Sequence, residues 1–179
     1  MKLKTRTITH TALFAAIISV LSVISVPIGT VPISLGLLGV FICALSLGPA
    51  RSVLAVIIYL FIGVIGIPVF SGFQAGISVL AGPTGGYLLS YIAVAFISGI
   101  ISCLANKKNH ITALFITAAG CFLGLVTCYL IGTAFYALTT KTGFIPALSV
   151  CVFPFVPFDL IKCIAAALCS VRIKTFLKQ

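Results

Sequence analysis

The chain has 179 residues, of which 61% are hydrophobic and 7% charged, and it carries a formal net charge of +10. With a mean hydropathy of +1.36, it has too few charges to cover a water-soluble surface, so one integral membrane domain is expected over residues 1–179. Nucleic acid is excluded as the partner of the basic excess by where the charges fall, between apolar runs that each need about 20 residues to cross a bilayer.

The first span is expected from about residue 7 to 26, after Lys2, Lys4 and Arg6. Its basic start and apolar core are also features of a secretory signal. No small-x-small cleavage site lies near its end, so a retained helix is the expectation. Pro27 to Pro32 break it on the outer side, and a short second span covers about 34–47. Gly48-Pro49-Ala50-Arg51 is a tight cytoplasmic turn into span three, about 50–66. Residues 66–86 are apolar yet punctuated by Gly66, Pro68, Gly72, Gly76, Gly82, Pro83, Gly85 and Gly86. Such density opposes a regular helix, and uncharged irregular backbone at membrane depth must be buried in protein or line a cavity. A structured outer loop folded over or into the bundle is expected. Span four covers about 84–105, span five about 111–137, an outer loop about 138–152 and span six about 151–171.

This frame puts nine of the eleven basic residues on one side: the three at the start, Arg51, Lys107, Lys108, Arg172, Lys174 and Lys178. Lys141 lies opposite and Lys162 within the membrane. The bias of basic residues toward the cytoplasmic face makes both termini cytoplasmic in a multi-pass protein of the cell membrane. The seven cysteines form no CxxC pair. They are expected to be small packing residues rather than disulfides or metal ligands.

Asp159 is the only acidic residue. A carboxylate in hydrocarbon is costly and marks a functional site by default. Pro154 and Pro157 precede it and suit the start of a helix, whose positive end favours the carboxylate. Lys162, three residues on, falls on the same helix face. Two readings stay open: an ion pair that lowers the cost of burying both groups, or two groups addressing different parts of one ligand, the pair closed when empty and opened by ligand. Glycines of the 66–86 loop expose backbone to anything lying against it, and Gln74 is its one amide side chain. Ala12 and Ala16 lie one turn apart on span one, small enough for another helix to approach closely.

The segments Gly66-Ile67-Pro68-Val69-Phe70-Ser71-Gly72, Gly82-Pro83-Thr84-Gly85-Gly86-Tyr87-Leu88 and Pro154-Phe155-x-Pro157-x-Asp159-x-x-Lys162 resemble the BioY family. That family comprises the biotin-specific substrate-binding S components of energy-coupling factor (ECF) transporters. The resemblance implies an all-α membrane protein with the ECF S-component fold: six transmembrane helices and a Gly/Pro-rich outer loop between helices 3 and 4. It implies high-affinity biotin capture in an outward-facing cavity. A transmembrane coupling protein and two ATPases power transport, unless the subunit acts alone. The absence of a GxxxxGK[ST] loop agrees with that division. Asp159 corresponds to the family's aspartate and suits biotin's ureido N–H groups, and Lys162 to its lysine and suits the anionic valerate tail. Phe70, Phe73, Tyr87 and Phe155 suit the compact bicycle as apolar walls, and Ser34 and Gln74 are implied as polar contacts. Gly36 stands where the family often has glutamine. Ala12 and Ala16 correspond to the alanines that dock the coupling protein. No cofactor or metal is implied. The alternative is a membrane enzyme using Asp159 and Lys162 as acid and base on a lipid-soluble substrate. A lone D-x-x-K without a nucleophile argues against it.

Overall fold

The computed structural model describes residues 5–28, 31–105 and 109–177, without the side chains of 28, 31, 110, 171, 172 and 174–177. The basic residues Lys2, Lys4, Lys107, Lys108 and Lys178 lie outside the described residues. Eight α-helices run in the order α1 (Thr5–Val23), α2 (Gly36–Leu47), α3 (Pro49–Val64), α4 (Ile77–Ala81), α5 (Gly85–Ala105), α6 (His110–Thr140), α7 (Phe144–Cys151) and α8 (Val156–Leu177).

Three of them, α1, α5 and α6, are long and apolar enough to cross a membrane alone. The pair α7–α8, bent by 60° at its break, passes the same test together. At 1.5 Å per residue, α2 and α3 reach only about 18 and 24 Å, less than the hydrocarbon core. Among the described residues, four units thus have the length of a span, and α2 and α3 pack among them as shorter apolar helices.

α2 lies at the centre, packed against α1, α3, α5 and α8. It is apolar all round, as a wholly surrounded helix must be, and Val40, Phe41, Cys43, Ala44 and Leu45 have no exposure. The outer helix faces carry exposed Leu13, Phe61, Phe96, Phe122 and Ile164, an apolar exterior suited to lipid. Hydroxyls join the helices inside. Ser102 donates to the Leu45 carbonyl (2.8 Å), Ser98 to that of Gly120 (3.0 Å) and Ser52 to that of Ala95 (3.2 Å). The Ser22 and Tyr59 hydroxyls meet at 2.6 Å. Small residues and hydroxyl bonds are how helices associate where burial in lipid offers no hydrophobic gain.

Two segments differ from the expected loops. The break after α1 is an antiparallel hairpin, β1 (Ser25–Ile28) with β2 (Val31–Ser34), in which Pro27 faces Pro32. Leu35 N–H donates to the Ile24 carbonyl at 3.0 Å. Antiparallel pairs alternate between bonded and non-bonded, so Pro27 and Pro32 fall on a non-bonded pair, where a missing N–H costs nothing. The expected outer loop 138–152 is mostly helix. α6 runs on to Thr140, Lys141 closes it in the left-handed region (φ 54°), and α7 follows.

The 66–86 segment crosses the end of the bundle. It is pinned by Phe70, wholly buried and edge-on to Tyr59 with ring centroids 5.6 Å apart. The ring lies against Gly63, where any Cβ would overlap it. Gly76 N–H donates to the Gly63 carbonyl at 2.8 Å from a φ of +94°, a backbone that disfavours side chains.

Candidate functional site

β2, the starts of α5 and α8, and the outer half of α6 converge at the end of the bundle opposite the Gly48–Arg51 turn. The break between α7 and α8 sets the approach. Pro154 and Pro157 bring no N–H to a helix, and Phe155 N–H instead bonds the Val152 carbonyl at 2.9 Å. α8 therefore restarts at Val156, and Asp159 sits in its first turn, where the positive end of the helix dipole favours a carboxylate.

Asp159 and Lys162 are both buried, at 5% and 7% exposure. Lys162 Nζ donates to Asp159 Oδ1 at 2.7 Å and to the Ser34 backbone carbonyl at 2.8 Å. Tyr129 Oη donates to the other carboxylate oxygen, Oδ2, at 2.7 Å. Both oxygens of the acid are thus satisfied, and two of the three ammonium donors are used. A buried pair is tolerable only when such bonds replace water. This cluster opens on a cavity of about 60 Å³ lined also by Leu37, Tyr87, Tyr91, Cys128, Cys151 and Phe155, room for a few waters.

Of the residues singled out in the sequence, the structure brings together Asp159, Lys162, Ser34, Tyr87 and Phe155. Ser34 contributes its backbone carbonyl to Lys162, while its hydroxyl accepts from Gly36 N–H at 3.3 Å. Tyr87 joins α5 to α6 through the Thr133 hydroxyl at 3.0 Å. Phe70 is elsewhere, in the core beside Tyr59. Gln74 lines a second, wider groove of about 540 Å³ with Ser78, Thr84 and the backbone between them. Pro32 is common to the groove and the cavity. Ala12 and Ala16 are exposed on the outer face of α1, while neighbouring Ala15 is buried. Tyr129, Tyr91, Cys128 and Cys151 went unmarked in the sequence. Tyr129 alone gave a signal: a phenol in the outer third of an apolar span must find a polar partner.

The spacing narrows what the pair can do. Nζ and Oδ1 are 2.7 Å apart and bonded to each other, so the pair presents a donor and an acceptor side by side at the cavity.

The BioY family model matches residues 1–179. The chain is 40% identical to the biotin transporter BioY of Thermotoga maritima over 172 residues, covering 94% of this chain and 96% of that one. It is 36% identical to the probable biotin transporter BioY of Pyrococcus horikoshii, covering 96% and 98%. A crystal structure of the S-component for biotin from an ECF-type ABC transporter matches with a TM-score of 0.85 at 25% identity, covering 97% of this chain and 95% of that one.

Proposed function

This chain belongs to the BioY family, and we propose that it captures biotin in the Asp159–Lys162–Tyr129 cavity as the S component of an ECF-type uptake transporter. The observation that carries the site is the cluster itself. The one acid of the chain and the one lysine within the bundle share a cavity at the end where the helix α8 restarts. Asp159 accepts a ureido N–H, and Lys162 donates to the ureido carbonyl. Tyr87 and Phe155 flank the compact apolar bicycle. Burying a urea against matched partners discriminates strongly against ligands that leave those partners unpaired.

The chain is a transporter subunit and not an enzyme, which sets aside acid–base chemistry at Asp159 and Lys162. It is a multi-pass membrane protein, with the cavity on the outer side and both termini in the cytoplasm of the cell. Energy comes from partner subunits, a transmembrane coupling protein and two ATPases. Exposure of Ala12 and Ala16 supports their role as the docking face.

Purified protein in detergent, heated with and without biotin, tests the reading. A tight ligand raises the melting temperature by mass action, about 4 kcal/mol at a thousandfold excess over Kd. The expected result is a biotin-dependent rise that is absent with lipoate, a ligand of similar size and tail that lacks the urea. No rise at saturating biotin would reject the reading.

A further inference from the structure

We infer that the groove lined by Gln74, Ser78 and Thr84 receives the tail of the bound ligand, so that the protein takes up biotin in amide linkage as well as the free acid. This rests on the proposed capture of biotin at Asp159 and Lys162. With the pair given to the ureido ring, the tail extends away from it, and the cavity, at about 60 Å³, is too small to hold the whole ligand. The groove is the adjoining space. It is about 540 Å³, and Pro32 walls both.

The chemistry of the groove sets the ligand class. Its lining residues are neutral, and none is a lysine or arginine. Gln74, Ser78 and Thr84 each offer both donors and acceptors. A carboxylate can take their N–H and O–H groups. An amide can take the same donors with its C=O and give its own N–H to their oxygens. Without a fixed cation, nothing in the groove demands the negative charge of the free acid, and its volume accommodates the group attached beyond the amide.

Equilibrium binding of biotin and of Nε-biotinyl-lysine to the purified full chain tests this, alongside Ser78→Trp, a change at an exposed lining position. Wild-type protein should bind the two ligands with affinities within about tenfold, a difference of 1.4 kcal/mol. Ser78→Trp should weaken biotinyl-lysine about tenfold or more beyond any loss for biotin, because the longer ligand fills more of the groove. An unshifted melting temperature of the ligand-free variant shows that it is folded. Should wild-type protein bind biotin but reject biotinyl-lysine, or Ser78→Trp leave the ratio of the two unchanged, the groove is not the path of the tail. Failure to bind biotin at all would instead reject the capture reading beneath it.

Discussion

The carboxylate of Asp159 is held at both oxygens, by Lys162 and by Tyr129, so each partner has a separable effect. Lys162→Ala leaves a buried acid without its counter-ion and, on the proposed pose, removes a donor from the ureido carbonyl. If Lys162 serves the ring, biotin and biotin amide should weaken by equal factors. A larger loss for free biotin would return Lys162 to the tail carboxylate. Tyr129→Phe deletes one bond to a charged group, worth about 1.5–3 kcal/mol. The melting temperature of the biotin-free protein should fall accordingly. An unchanged value would mean that Tyr129 does not support the acid. Asp159 and Lys162 were legible from sequence because ionisable groups are so rare in an apolar chain. Tyr129 was not, because its partner stands 30 residues away, and only the packing of α6 on α8 brings them together. The Ser34 carbonyl was hidden for a different reason: every residue carries one, and only the hairpin aims this one at Lys162.

At the level of elements, long uniform helices were easier to read than short or interrupted ones. The bounds of α3 and α5 follow from apolar runs ended by Gly, Pro and charge, whereas α8 starts later than the expected span and runs past Arg172 and Lys174. The hairpin was read as a mere break, because prolines argue against strands. It stands because Pro27 and Pro32 share a pair that needs no N–H. α7 was read as loop, because eight residues between a glycine and a proline-rich turn carry little periodicity. Phe70 illustrates the ambiguity of a conspicuous aromatic. The same residue type serves a ligand wall or a core. Its full burial against Tyr59 and Gly63 favours the core, so Phe70→Ala should cost about 3–5 kcal/mol in stability, seen as a large fall in melting temperature without ligand. Normal stability with impaired biotin binding would restore it to the site. The exposed face of α1 makes the opposite case. Ala12→Trp with Ala16→Trp adds bulk at two positions that are exposed among the described residues. It should abolish co-purification with a coupling protein and ATP-driven uptake while biotin binding survives. Loss of biotin binding as well would mean that this face packs within the subunit.

The molecule as a whole places its Asp159–Lys162 cluster at one end and the Gly48–Arg51 turn at the other. The charge bias along the sequence predicts that the cluster's end faces outward. The membrane character was legible from composition alone, but the depth of each crossing was not, since α2 and α3 are short and α8 shares its span with α7 across a 60° bend. Capture of biotin in this cavity requires that the ligand meet Asp159. Its most direct test is equilibrium biotin binding to purified wild-type protein and to Asp159→Asn, which keeps the size of the side chain while replacing an acceptor with a donor. Wild-type protein should bind one biotin per chain, and Asp159→Asn should lose about 2–4 kcal/mol, or roughly 30- to 1000-fold in affinity. Unchanged affinity in a folded Asp159→Asn protein would contradict the assignment of this cavity as the biotin site.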